Sequence, residues 1–293
     1  MRAVFEGIVD YAGLFPPASL TMDDAVAAYS DYRYSPESWM LGRFVVSATR
    51  LAEFGASIDR LEAAVTSDAP WRVSAVLGAA LPAELAAIDR FRTEWDRRGV
   101  LVDAIEHRVA TVDQVQAVGA SVPREYLRFL EFPPDGPHDE LATASAAIGA
   151  YAKIRTGGTS PDLFPTPQQL TDFLVAVTSR SLPFKATAGL HHPLRGSFPL
   201  SYEPAAAHHP MYGFVNVLLA TAELLRGDDG TKAHAILTEL DPSTVHHEAG
   251  AITWRGIRYR AEELAAVRRL AFLGFGSCSF REPVEELHAM AVQ

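Results

Sequence analysis

Two hydrophobic periods alternate along the chain. Met40 to Ser47, Trp71 to Leu77 and Val100 to His107 are short apolar runs rich in β-branched and aromatic residues. Runs of that length and make-up read as buried strands. The segments between them, Leu51 to Val65, Pro82 to Arg98 and Thr111 to Val118, repeat apolar residues every three or four positions and read as helices. The pattern begins earlier, with Ala3 to Val9 as a first strand closed by Asp10. A proline-stopped loop to Pro17 and a helix from the N-cap Thr21 to about Tyr32 follow, with Asp23 and Asp24 at the helix's positive end. It continues with a strand from Glu125 to Phe132 and a helix from Asp139 to about Ala150. The sixth and seventh strands are Tyr151 to Gly158 and Pro183 to Gly189, joined by a helix from Pro167 to Ser181. Leu270 to Gly276 is the eighth strand, and Pro283 to Ala291 its closing helix.

Strands separated by crossover helices must run parallel, and eight such units close into an α/β fold of the (β/α)₈ TIM-barrel type. An open doubly wound sheet is the competing architecture, but no Gly-x-Gly-x-x-Gly turn follows the first strand. Two additions fall between the seventh and eighth strands. A loop rich in His and Pro runs from Gly189 to Met211, where it would cover an active site. After a helix from Tyr212 to Leu225, an insertion at about 227–270 reads as a helix from Thr231 to Leu240, a hairpin from Ile252 to Tyr259 and a helix from Glu262 to Arg269. No linker sets it apart, so residues 1–293 read as one domain.

A formal charge of -10 argues against a nucleic-acid or anionic-membrane partner, since both call for a basic face. A small-molecule anionic substrate is the expected partner, and homo-oligomerisation stays open. The single cysteine, Cys278, excludes an internal disulfide and fits a reducing cytoplasm. No apolar run reaches the roughly 18 to 20 residues of a membrane span, and Met1 to Asp10 lacks the features of a signal peptide. A cytoplasmic enzyme without cofactor is the expectation.

In a barrel the chemistry sits at the C-terminal strand ends. The polar residues expected there are Asp10, Arg43, Glu106, Glu131, Lys153, Arg155, Lys185, Thr187 and the Gly-rich end of the eighth strand. Side chains alternate along a strand, so Lys153 shares a face with Arg155, and Lys185 with Thr187; Ile154, Phe184 and Ala186 would face the outer helices. Both lysines are therefore expected to point into the barrel. A lysine attacks a carbonyl only as the free amine. A neighbouring ammonium and partial burial would lower its pKa and free it to form a Schiff base. Glu106 is the expected proton shuttle. Glu131 is either a second shuttle or an ion-pair partner for Lys153 or Arg155. Gly276, Ser277 and Ser279 are candidate anion contacts, while Gly157, Gly158 and Gly189 would let substrate approach the backbone. Cys278 reads as a small buried side chain rather than a nucleophile.

These residues resemble the last three strand ends of the class I, lysine-dependent aldolase barrels, most closely the deoxyribose-phosphate aldolases. The resemblance rests on Lys153-Ile-Arg-Thr-Gly157, Lys185-Ala-Thr-Ala-Gly189 and Gly274-Phe-Gly-Ser-Cys-Ser279. It implies Lys153 as the Schiff-base nucleophile, Lys185 as the modulator of its pKa, and Gly276, Ser277 and Ser279 as phosphate contacts. Thr156 and Thr187 fall within the same motifs. Three departures stand out: Glu106 where the family uses an aspartate, Leu190-His191-His192 in place of a basic loop, and Arg155, which suits a carboxylate. The reading is a lyase acting on a small phosphorylated or carboxylated carbonyl compound.

Two other classes remain open. The pairs His191-His192, His208-His209 and His246-His247 suggest a divalent-metal hydrolase, lyase or isomerase, with His191 or His192 joining Glu106, Glu131 and His208. Adjacent histidines on an extended chain point to opposite sides, so each pair would give at most one ligand. The third reading is a barrel that binds a ligand without chemistry.

Overall fold

The structure, a computed structural model, describes residues 1–61 and 69–292. Eight parallel strands close into a barrel, β1 (Val9–Tyr11), β2 (Leu41–Ser47), β3 (Trp71–Val76), β4 (Val100–Arg108), β5 (Leu127–Phe132), β6 (Tyr151–Arg155), β7 (Phe184–Thr187) and, last in the chain, β13 (Phe272–Ser277). β13 closes the ring by pairing with both β7 and β1. Helices wrap the outside: Met22–Arg33, Leu51–Arg60, Leu81–Trp95, Val112–Ser121, His138–Ile148, Pro167–Thr178, Phe214–Leu225 and Arg281–Val292 among them. The architecture is the expected (β/α)₈ barrel. None of the described helices is long and apolar enough to cross a membrane.

Local chemistry sets the helix starts. Thr21 accepts the backbone N–H of Asp24, and Thr111 with Gln114 and Thr166 with Gln169 form reciprocal capping boxes. The main core lies between sheet and helices. Phe184 of β7, for example, packs edge-on against Phe173 of the Pro167–Thr178 helix and stacks on Phe272. Ile154 and Ala186 belong to the same buried cluster, as strand parity requires.

Three expectations need correction or refinement. Ala3 to Val9 is not the first strand: Arg2–Phe5 is a short helix, and the strand starts at Val9 and carries Asp10 within it. Val4, Phe5 and Ile8 are all buried, a one-sided helical spacing that a short apolar run leaves ambiguous. The Gly189 to Met211 loop contains a two-stranded ribbon, β8 (Gly196–Pro199) and β9 (His208–Met211). The expected hairpin of the insertion is a three-stranded sheet, β10 (Val245–Glu248), β11 (Ala251–Trp254) and β12 (Ile257–Arg260), between helices Thr231–Thr238 and Ala261–Leu270. The expected extension of the second-unit helix to Val65 lies outside the described residues.

Candidate active site

Register brings the two lysines side by side, Lys153 of β6 directly opposite Lys185 of β7. Both side chains enter the barrel and are almost fully buried, at 5% and 2% exposure. Glu106 of β4 lies between them: its Oε2 is 2.7 Å from Lys153 Nζ and its Oε1 2.7 Å from Lys185 Nζ. Glu131 of β5 approaches Lys153 Nζ to 2.6 Å, and Asp10 of β1 approaches Lys185 Nζ to 2.5 Å. The interior therefore holds a zigzag of five charges, carboxylates and ammoniums alternating from Glu131 to Asp10. Ser74 of β3 donates its hydroxyl to Glu106, and Lys185 Nζ sits 5.2 Å from the centre of the Phe129 ring. Burying so many charges is tolerable only because each is paired.

The electrostatics differ from the sequence expectation in one decisive respect. The two ammoniums do not face each other, because Glu106 separates them. Burial pushes the Lys153 pKa down, but Glu106 and Glu131 outweigh it and raise the ammonium above its ordinary range. Burial likewise acts to raise Glu106 and Glu131, and the lysines hold both carboxyls below the usual range. At rest Lys153 is charged, with two proton acceptors in hydrogen-bond contact.

Above this cluster opens a cavity of about 740 Å³. Lys153, Lys185, Glu106 and Glu131 form part of its lining, and Arg108, Arg155, Thr187, Gly276, His191 and Cys278 form another part. Arg108 Nε is 3.0 Å from Glu131 and Arg155 Nε 4.0 Å from it. The guanidinium of Arg108 is largely exposed, so this side of the cavity offers cations to an entering anion.

Other expected site residues do different work. Arg43 sits in the N-terminal half of β2, where its guanidinium pairs with Asp103 at 2.7 Å, far from the strand ends that carry chemistry. Asp10 reaches Lys185 but also accepts the backbone N–H of Arg43, beneath the lysine layer. Gly157 and Gly189 face each other rather than a ligand: a Cβ on Gly189 would lie 2.7 Å from the Gly157 Cα, and φ of +72° suits glycine there. The Thr156 hydroxyl donates to the carbonyl of Ala188 and locks the same two chain ends together. Gly158 does line the cavity. The Ser279 hydroxyl accepts the backbone N–H of Glu282 and so caps the last helix, and the buried Ser277 hydroxyl lies 3.4 Å from His191 Nδ1. Neither serine lines the cavity, and of the three expected phosphate contacts only Gly276 does.

The histidines are not arranged as the metal reading required. His191 and His192 both turn to the Arg281–Val292 helix, meeting Glu282 at 3.0 Å and Glu286 at 2.9 Å. Glu106 and Glu131 are taken by lysines, and His208 lies in the β8–β9 ribbon with its side chain exposed. Among the described residues, His192, Glu282 and Glu286 are the three donors close enough to share a cation, within 4.8 Å. Hydrogen bonds already engage all three, His192 with Glu286 and Glu282 with His191. His192 also stacks on Phe198, which fixes its ring.

Sequence reasoning missed Ser74 and Arg108. The signals were present: Ser74 is the polar interruption in an apolar strand, and Arg108 stands two residues after Glu106 and so shares its parity. Compared with protein-family models and with curated proteins, the chain matches none.

Proposed function

We propose that this barrel is a lyase of the aldolase type, forming a Schiff base between Lys153 and a small anionic carbonyl compound. The observation that carries the reading is one lysine nitrogen, buried beneath an open cavity, within 2.7 Å of two carboxylates. Lys153 is the nucleophile rather than Lys185, because its second acceptor, Glu131, lines the cavity with it. The second acceptor of Lys185 is Asp10, beneath that layer.

The steps follow from the contacts. A substrate carboxylate or phosphate pairs with Arg108 and Arg155 and displaces water from the cavity. Lys153 passes a proton to Glu106 or Glu131, and the free amine adds to the carbonyl carbon. The protonated carboxyl returns a proton to the carbinolamine hydroxyl, which leaves as water and yields the iminium. Lys185 keeps Glu106 oriented, and its charge opposes proton uptake by that carboxylate, so Glu131 is the better base. The iminium then draws electrons from the adjacent carbon, allowing a proton or a carbon fragment there to depart.

Solvent deuterium exchange tests the reading. Acetaldehyde, pyruvate and dihydroxyacetone phosphate are incubated with the protein in D₂O and followed by NMR. Exchange at the carbon beside the carbonyl is expected for at least one of them, and is abolished in Lys153→Met. Exchange that persists in that variant would refute the assignment.

A further inference from the structure

A second group of reactive side chains opens on the same cavity without taking part in the steps above. Cys278, the only cysteine in the chain, follows β13 and lines the cavity together with His191. Its Sγ is 4.0 Å from His191 Nε2, and His191 Nδ1 is 3.0 Å from Glu282 Oε2. Thiol, imidazole and carboxylate thus stand in the order of a nucleophile, its base and the group that orients the base. The orientation is fixed on both sides. Glu282 is placed by the capped start of the last helix, and Tyr202, from the segment between β8 and β9, reaches Cys278 Sγ at 3.6 Å and Glu282 at 3.3 Å.

We propose that Cys278, His191 and Glu282 form a nucleophilic centre that adds to an aldehyde carbon of a compound in the cavity. The sulfur forms a bond to the carbonyl carbon, and the electron pair of the C=O π bond moves to oxygen. That oxygen takes the proton from Nε2 of the His191 imidazolium, leaving a thiohemiacetal and a neutral imidazole whose Nδ1–H stays on Glu282. The reverse step restores the starting state. Neither oxidant nor leaving group is needed.

The surroundings support a charged resting pair. Burial alone would raise the thiol pKa, but His191 and then Tyr202 bring it below its ordinary value. Burial alone would lower the His191 pKa, but Cys278 and Glu282 raise it to about 10. The other titratable groups facing the pair are tyrosines 11 and 32, whose ionisation lies higher still, and His192, whose ring centre is 6.3 Å from that of His191. A buried cysteine serving only as packing would have no such partner.

This centre requires no imine, so it stands or falls apart from Lys153. With one cysteine, alkylation by iodoacetamide gives a single adduct that intact mass reports, and the ligand-free protein suffices. Comparing rates at pH 6 and pH 9 within one protein cancels access to the buried site. The rise from pH 6 to pH 9 is expected to fall clearly short of the more than about hundredfold rise of an ordinary thiol of pKa about 8.5. His191→Gln restores the steep dependence, and Glu282→Gln, at the surface end of the line, does so in part. A second arm uses acetaldehyde labelled with ¹³C at the carbonyl: a thiohemiacetal carbon resonance is expected in the wild type and absent in Cys278→Ser. A hundredfold rise in the wild-type alkylation rate from pH 6 to pH 9 overturns the proposal. So does the lack of a thiohemiacetal signal, or a signal that survives Cys278→Ser.

Discussion

The barrel interior contains two ionic layers that look alike on paper. Nearer the N-terminal strand ends, Arg43 and Arg72 share Asp103 at 2.7 Å and 2.5 Å. Toward the C-terminal ends, Lys153 and Lys185 share Glu106 at 2.7 Å each. Both are two cations around one carboxylate. The lower layer uses guanidiniums, which do not lose their proton in proteins, and Arg72 remains half exposed. The upper layer uses amines that become nucleophiles on losing a proton, buries them, and leaves a cavity above. The lower layer ties strands together, and the proposed chemistry falls to the upper one.

The largest difference should come from removing each central carboxylate. Glu106→Leu leaves two buried ammoniums without their shared partner and is expected to cost about 3 to 5 kcal/mol of unfolding free energy in urea melts. Asp103→Leu leaves Arg43 partly buried but Arg72 in water, and should cost markedly less. Equal losses would mean the layers do not differ in burial. Next in size, Lys185→Met should destabilise by a similar few kcal/mol, and adding Asp10→Leu and Glu106→Gln should recover part of it, since the penalty lies in charges left unpaired.

A pH dependence of intermediate size follows from Glu131. Its folded pKa lies below the unfolded value of about 4.3, so its contribution is complete above that pH and is lost as pH falls through the folded value. Lys153 behaves oppositely: its folded pKa lies above the unfolded value of about 10.4, so its contribution is complete below that pH and lost above it. The stability gap between wild type and Glu131→Gln should therefore be flat from about pH 6 to 9 and close below about pH 4. A gap that widens in acid would reverse the sign of the pair. The smallest effect belongs to Arg72→Met at the half-exposed edge of the lower layer, within about 1 kcal/mol, with deuterium exchange untouched.

The same contrast shows what the chain made legible before its folding was seen. Parity along Lys153 to Arg155 and Lys185 to Thr187 was enough to turn both amines inward, because the alternation is a property of any strand. Placing Glu106 near them required only that it end a parallel strand. Arg43 was misplaced although Met40 to Ser47 already puts it in the first half of its strand. Which residues of neighbouring strands sit level, by contrast, depends on the stagger between strands and cannot be read from one strand alone. The separation of the lysines by Glu106 was hidden for the same reason: it is a fact about three strands at once. Gly157, Gly189 and Thr156 carried the composition of a ligand-approach loop, yet they serve a contact between two chain ends. The turn of His191 and His192 toward Glu282 and Glu286 depended on a helix more than ninety residues along the chain.

The central claim is that Lys153, although charged at rest, yields a free amine to a carbonyl compound in the cavity. Its most direct test is sodium borohydride reduction in the presence of pyruvate, acetaldehyde or dihydroxyacetone phosphate, with the adduct located by peptide mass mapping. The account predicts one added substrate residue, on Lys153, and its loss in Lys153→Met but not in Arg72→Met. A reduced adduct on Lys185, or none with any of the three compounds, would contradict it.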